Sequence, residues 1–371
     1  MTRLYRASAL AAALALAGCS GSGGATSSSS SYGGVSCPAP SAGTTVAVRP
    51  PAPDPPRAKP AYSSVRGQSA ALDAAMAAYD EARFDDAATG FDSAARAGSG
   101  DVRRVSLRML GRTRLALGDR AGAADALRRL VENEPPLVRL NPDVEPLALL
   151  ETFYEVRHDK DGSYAVQTDR ANTLAIADFT NASITDHEMV DPLRLGFASL
   201  MIDRMRGATD LELVERVRLQ WLLDEQNLGS GEEAGRQAGR LLGADQVVFG
   251  TYIKNGDNLL MTARVVDVET SEILLSERIS GRADQFDGLV SCLSDLVAGA
   301  VDARLPSQAM AAAPESLDAV IAYARGLALE ETEDYGAALQ QYQLAVQLDP
   351  DYEPAQLRMT EGVAPFVAAN N

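Results

Sequence analysis

Few side chains in this 371-residue chain are of types that carry chemistry: two histidines and three cysteines stand among 51 acidic residues. Two carboxylates facing each other can act as acid and base on a glycosidic bond. The carboxylates on the best-defined segments are Asp178 and Glu215. Asp178 follows an apolar strand segment, where capping of a loop or helix fits. Glu215-Arg216, at the start of a helical stretch, reads as a local ion pair. Both readings outweigh a catalytic one. His158 beside Asp159 and His187 beside Glu188 lack further ligand types around them, so they read as solvated surface side chains. Asp159-Lys160-Asp161-Gly162 lacks the spaced oxygen ligands and closing Glu of a calcium loop, and reads as a turn. No G-x-S-x-G elbow, phosphate-binding loop, dinucleotide fingerprint or H-E-x-x-H motif occurs. The chain is therefore expected to have no catalytic residue, no cofactor and no metal site.

The third kind of chemistry is that of a thiol near the N-terminus. Arg3 and Arg6 precede about 11 nearly apolar residues, Ala7 to Ala17, which form a secretory signal over residues 1–18. A membrane span needs about 20 apolar residues, and this run is shorter. It ends in Leu16-Ala17-Gly18-Cys19, which resembles the bacterial lipobox. The resemblance implies that Cys19 is acylated and becomes the mature N-terminus. In that family an Asp after the Cys favours retention at the inner membrane. Ser20 stands there in this chain, so the resemblance implies the periplasmic face of the outer membrane.

The elements behind these residues follow from composition. Hydrophobic residues make up 46% of the chain, enough for a core, and the net charge is −17, which argues against nucleic acid and anionic lipid as partners. Residues 19–61 are Ser/Gly-rich and then Pro-rich, from Pro50 to Pro60, so they read as a disordered tether that buries no core. Cys37 lies in that tether and Cys292 in an apolar helical run. A periplasmic setting permits a bond between them, but a buried small hydrophobe is the preferred reading for Cys292.

Residues 62–136 carry a helical, Ala-rich pattern with two similar segments, Ala75/Phe84/Ala87/Phe91/Ala94 and Gly111/Gly118/Ala123/Leu127/Leu130/Pro135. A third copy, Gly326/Leu329/Tyr335/Ala338/Tyr342/Ala345/Pro350, lies within residues 314–362. These positions resemble the tetratricopeptide repeat, with a 36-residue offset from Ala87 to Ala123. Such helices serve either as a groove for a protein partner or as a brace for the neighbouring domain, and the sequence does not choose. Residues 137–170 read as a connector.

Residues 171–306 alternate strands and helices: strands at Leu174 to Phe179, Leu211 to Val214, a run led in by Ala244 to Gly250, Leu259 to Val268 and Glu272 to Ile279, with a hairpin turn at Asn255-Gly256. Helices are expected from Asp191-Pro192, over Val217 to Gln226, Glu232 to Leu242 and Gln285 to Arg304. The fold class is a central α/β domain, a mixed sheet flanked by helices, with all-α repeats on either side.

Ile176-Ala177-Asp178-Phe179, Leu213-Val214-Glu215-Arg216, Gly243-Ala244-Asp245 and Arg264-Val265-Val266-Asp267-Val268-Glu269-Thr270 resemble the CsgG family of curli-secretion lipoproteins. That family's core is similar to the N-terminal domain of TolB. The pores of that family span the membrane with two long hairpins per subunit. The matching places here, Thr251 to Ala263 and Ser276 to Gln285, hold a tight turn and a short charged stretch with no room for strands of about 9–11 membrane-facing residues. The resemblance implies a lipid-anchored periplasmic assembly or scaffold factor for secretion or a surface structure, not itself a channel. Its partners are expected to be periplasmic or outer-membrane proteins or further copies of itself, with the lipid as the one membrane contact. The alternative is a tethered repeat adaptor, or an activator of a peptidoglycan synthase similar to LpoB.

Overall fold

The computed structural model describes residues 31–32, 35–38, 62–133, 140, 144–161, 172–206, 208–209, 211–214, 216, 219, 232–305 and 314–369. Cys19, the signal segment, Glu215 and most of the helix expected over Val217 to Gln226 lie outside these residues.

Helices fill the N-terminal part: α1 (Tyr62–Val65), α2 (Ala70–Asp80), α3 (Phe84–Ala97), α4 (Gly100–Ala116) and α5 (Arg120–Asn133). Local chemistry sets their starts. The Ser69 hydroxyl accepts from the Leu72 amide, and Asp119 accepts from Gly122 at 2.8 Å. Small residues let paired helices close on one another: Gly90 of α3 lies against Ala75 of α2, and Gly111 of α4 against Leu127 of α5. The same device joins α11 (Leu317–Glu331) to α12 (Tyr335–Leu348), where Gly326 accommodates the Tyr342 ring.

Between the two helical parts stands a sheet of six strands among the described residues: β3 (Thr173–Ile176), β4 (Thr180–Asn181), β5 (Glu212–Val214), β6 (Gln246–Asn255), β7 (Asn258–Asp267) and β8 (Ile273–Arg282). β3 pairs in parallel with β5 and β6, and β6, β7 and β8 form an antiparallel meander. β4 continues the line of β3 along the edge of β6, after a break at Ala177 to Phe179. The break has a packing cause: the Phe179 ring is seated directly on Gly250 of β6. The turn between β6 and β7 is two residues long, with Asn255 opposite Asn258. Short α7 (His187–Val190), α8 (Leu193–Met205), α9 (Glu232–Leu242) and α10 (Phe286–Ala300) complete this domain. α8 and α10 pack together against the sheet and form one core with it, while α9 covers β6 in a second cluster.

Two stretches differ from the sequence reading. The presumed connector contains a fifteen-residue helix, α6 (Leu147–Asp161), so Asp159 to Asp161 end a helix rather than form a free turn. Its apolar residues carry no single clean stripe, because the consecutive residues Leu147, Ala148, Leu149 and Leu150 are all buried, beside α4 and α5. Within the expected disordered tether, β1 (Ser31–Tyr32) and β2 (Val35–Ser36) pair and lie against α10, with Val35 buried. Cys37 and Cys292 are disulfide-bonded, with Cα atoms 5.6 Å apart. The reading of Cys292 as a buried hydrophobe is thus corrected: it is fully buried and also bonded.

The chain closes with α13 (Glu353–Leu357), a π-helical turn over Arg358–Val363 and α14 (Ala364–Ala369). This segment returns to the N-terminal helices: Phe366 belongs to the core cluster of α2, α3 and α4.

Gly250→Ala places a methyl group inside the Phe179 ring, and rigid rings give little. We expect a loss of about 1–3 kcal/mol, seen as a lower thermal midpoint. An unchanged midpoint would mean that β6 and the Ile176 to Phe179 segment are not packed this way.

Candidate functional site

The N-terminal and C-terminal helices meet around a chain of buried charge. Arg112, on α4, donates from Nε to the Tyr79 hydroxyl at 2.7 Å, and from Nη1 to Glu145 Oε2 at 2.9 Å and to the Val144 carbonyl at 2.8 Å. Its Nη2 reaches the Gly362 carbonyl at 3.4 Å, and its guanidinium lies over the Phe366 ring, 5.7 Å from the centroid. Arg108, one turn earlier, donates to the other oxygen of Glu145 at 3.1 Å. Arg358 then links the Glu145 backbone carbonyl, at 3.0 Å, to the Glu330 carboxylate, also at 3.0 Å. The Tyr342 hydroxyl donates to Glu330 at 2.7 Å.

Burial shapes the ionisation of this chain. It works against the Arg112 charge, but Tyr79 and Glu145 more than offset it, and the guanidinium is held above its ordinary range. Burial, reinforced by the Glu330 charge, pushes the Tyr342 phenol well above the usual tyrosine value, so it stays a donor.

A second cluster joins the helices to the α/β domain. Arg216 is buried and donates to Asp178 at 3.2 Å and to Glu331, the last residue of α11, at 3.3 Å. Asp178 therefore serves as an ion-pair acceptor across 38 residues of sequence, while the expected pairing of Glu215 with Arg216 falls on Glu215, outside the described residues. Apolar packing continues the same junction: Gly196 of α8 lies against Val320 of α11.

Above the Arg112 cluster opens a cleft of about 790 Å³, between α2, the start of α3, α4 and the C-terminal segment. Its apolar wall includes Met76, Phe84, Met109 and Pro365. Asp80 and Glu361 stand exposed at its edge, whereas Glu145 is consumed by two arginines at its base. The cleft offers apolar area and an acidic border. Asp178, Glu145, Glu330 and Glu331 each lie within ion-pair distance of a guanidinium.

The residues singled out from sequence are scattered by the fold. His187 begins α7 with an exposed side chain, and His158 lies near the end of α6. Among the described residues no three His, Cys, Asp or Glu side chains gather to hold a metal. The residues missed were Arg112, Glu145, Glu330 and Arg358. One signal was available: Arg112 and Glu330 are in phase with the buried apolar residues of their helices, Val105, Met109 and Ala116 for one and Tyr323 and Leu327 for the other, where a charge implies a buried partner.

No protein-family model and no curated protein matches the chain. Among solved structures it is similar to TolB from Acinetobacter baumannii, at 18% identity over 36% of this chain and 28% of that one, with a TM-score of 0.26. It is similar to lipoprotein GNA1162 from Neisseria meningitidis, at 16% identity over 34% of this chain and 96% of that one, with a TM-score of 0.26. The LpoB C-terminal domain from Salmonella enterica gives 14% identity over 35% of this chain and 93% of that one, with a TM-score of 0.23. The chain spans 28% of the length of the TolB structure it matches. At these values no family and no function carry over.

Removing one member of a buried ion pair costs more than removing both. Arg358→Met should destabilise by about 3–5 kcal/mol, because Glu330 keeps its charge in an apolar site. Adding Glu330→Leu should recover most of that loss in chemical denaturation. If the double variant is as unstable as the sum of the singles, the pair is not coupled as drawn.

Partial desolvation beside Asp178 raises the Glu331 carboxyl above the ordinary glutamate value, with Arg216 offsetting it in part, although the side chain is 37% exposed. Between the ordinary glutamate value and the raised one, the folded chain holds a proton that the unfolded chain has released. The stability this group contributes is full below the ordinary glutamate range and is lost as pH rises through the folded value. Glu331→Gln should therefore melt higher than the parent at neutral pH, with the gap closing on acidification. A variant that melts lower at pH 7 contradicts the shift.

Proposed function

We propose that this chain is a periplasmic lipoprotein, anchored to the outer membrane through Cys19, that works as a non-enzymatic assembly or scaffold factor for a secretion or surface structure. Its paired helices are read as tetratricopeptide-like repeats and its sheet domain as CsgG-like. Partner proteins are taken up at the cleft between α2, α4 and the C-terminal segment.

The observation that carries this reading is the closure of the two sequence-distant helical parts through Glu145. It builds one cleft with an apolar wall and an acidic border, lined by Met76 and Met109 and by Asp80 and Glu361. Methionine adapts its shape to varied partners, which suits a docking surface. The carboxylates nearest the cleft floor are tied to arginines, which supports a binding role over turnover. The two-residue turn between β6 and β7 supports a body that does not itself form a curli-type channel. No helix among the described residues is long and apolar enough to cross a membrane, and the N-terminal lipid is the anchor in this reading.

One experiment in cells tests both halves. The parent chain should sediment with outer membranes, and Cys19→Ala should shift it to the soluble periplasmic fraction. A photo-crosslinking residue at Met76 should give a discrete adduct with a second protein, and one at exposed Leu344 on α12 should give none. Sedimentation of Cys19→Ala with the membranes rejects the anchor. Equal adducts at both positions reject the cleft.

A further inference from the structure

The bonded hairpin at the N-terminal end has a mechanical consequence. β1 and β2 are two residues each, and a hairpin of that size does not hold its own conformation in water. Yet Val35 and Cys37 belong to the core cluster of the α/β domain, together with Leu289, Cys292 and Leu296 of α10. What can hold so short a piece there is the covalent Cys37–Cys292 bond, which spans 255 residues of sequence.

We infer that this disulfide is a leash-shortening crosslink: it sets the distance the folded body can stand from the membrane. The inference rests on acylation of Cys19. Cys37 follows Cys19 by 18 residues, and the first helix of the body, at Tyr62, follows it by 43. A chain extends by at most about 3.5 Å per residue. With the bond in place, α10 can lie no further than about 65 Å from the acylated residue. Without it the first helix of the body is reached at Tyr62, for which the same limit is about 150 Å.

The bond is a permanent staple and not a switch. Cys292 is fully buried and Cys37 is 6% exposed, so soluble thiols do not reach the sulfurs once the domain has closed. It forms during folding by exchange with the disulfide of a periplasmic thiol oxidase. One cysteine thiolate attacks that disulfide to give a mixed disulfide, the second thiolate displaces the oxidase, and the oxidase leaves as a dithiol. The two cysteines lose two electrons and two protons, and the oxidase disulfide gains them.

The test uses the full acylated protein in vesicles of phosphatidylethanolamine and phosphatidylglycerol. A donor dye is placed by a non-natural residue at Leu344, and an acceptor lipid is included in the bilayer. The parent should transfer energy efficiently. Cys37→Ala with Cys292→Ala should lower the transfer while both proteins remain vesicle-bound. A second variant keeps the bond and adds 25 Gly/Ser residues between Cys19 and Ser31. It should reproduce the drop, which guards against misfolding of the double variant. Equal transfer in the parent and both variants overturns the leash. Alkylation of Cys37 and Cys292 in the denatured, unreduced parent overturns it as well. A parent that fails to bind vesicles at all points instead to failure of the acylation reading, and the leash falls with it.

Discussion

Glu145 is the residue on which the arrangement of the helices depends. Its carboxylate is almost fully buried and accepts from Arg108 and Arg112, and its carbonyl accepts from Arg358. A charge taken out of water at this depth is tolerable only when its lone pairs are filled by fixed donors. The carboxylate's donors both come from α4, and the donor to the backbone carbonyl comes from the π-helical turn near the C-terminus. The chain must therefore bring residues 108–112 and 358 to the same point, with the whole α/β domain threaded between them. That constraint makes a closed body out of two helical parts separated by the sheet domain, from Asp161 to Leu317.

The α/β domain is held into this body by a smaller version of the same solution. Arg216 sits between Asp178, at the break of the first sheet edge, and Glu331, at the end of α11. The apolar contact of α8 with α11 lies beside that junction, where Arg216 is buried and Glu331 stays partly in solvent. Charge pairing at two points and small-residue packing between them give a rigid joint, and a rigid joint preserves the cleft. Apolar packing alone would let the helical parts slide, since dispersion contacts have little directional preference. The arginine forks supply direction.

Much of the local architecture was legible from patterns. The paired helices follow from Ala and Gly recurring where backbones approach, as at Gly111 and Gly326. The strands follow from apolar runs such as Val247-Val248, and Asn255-Gly256 marks its turn. The misses have a common cause. α6 is buried on several sides, so its sequence lacks the one-sided stripe that identifies a surface helix. The hairpin at residues 31–36 is too short to carry a periodic signal. Asp178 and Glu215-Arg216 were read through their neighbours in sequence, whereas the partner of Arg216 that matters most for assembly, Glu331, lies 115 residues away.

By itself the sequence determined most of the helices and strands among the described residues, with helices on either side of a sheet. These depend on periodicity, composition and motifs a few residues long, and all are local quantities. Only the tertiary structure decided that Cys37 meets Cys292, that Arg358 and Arg112 share Glu145, and that the C-terminal turn completes a cleft begun by α2. Such pairings join residues far apart along the chain. They are selected by the free energy of the whole packed body, in which each buried charge must find its counterpart, and no short window of sequence contains that condition.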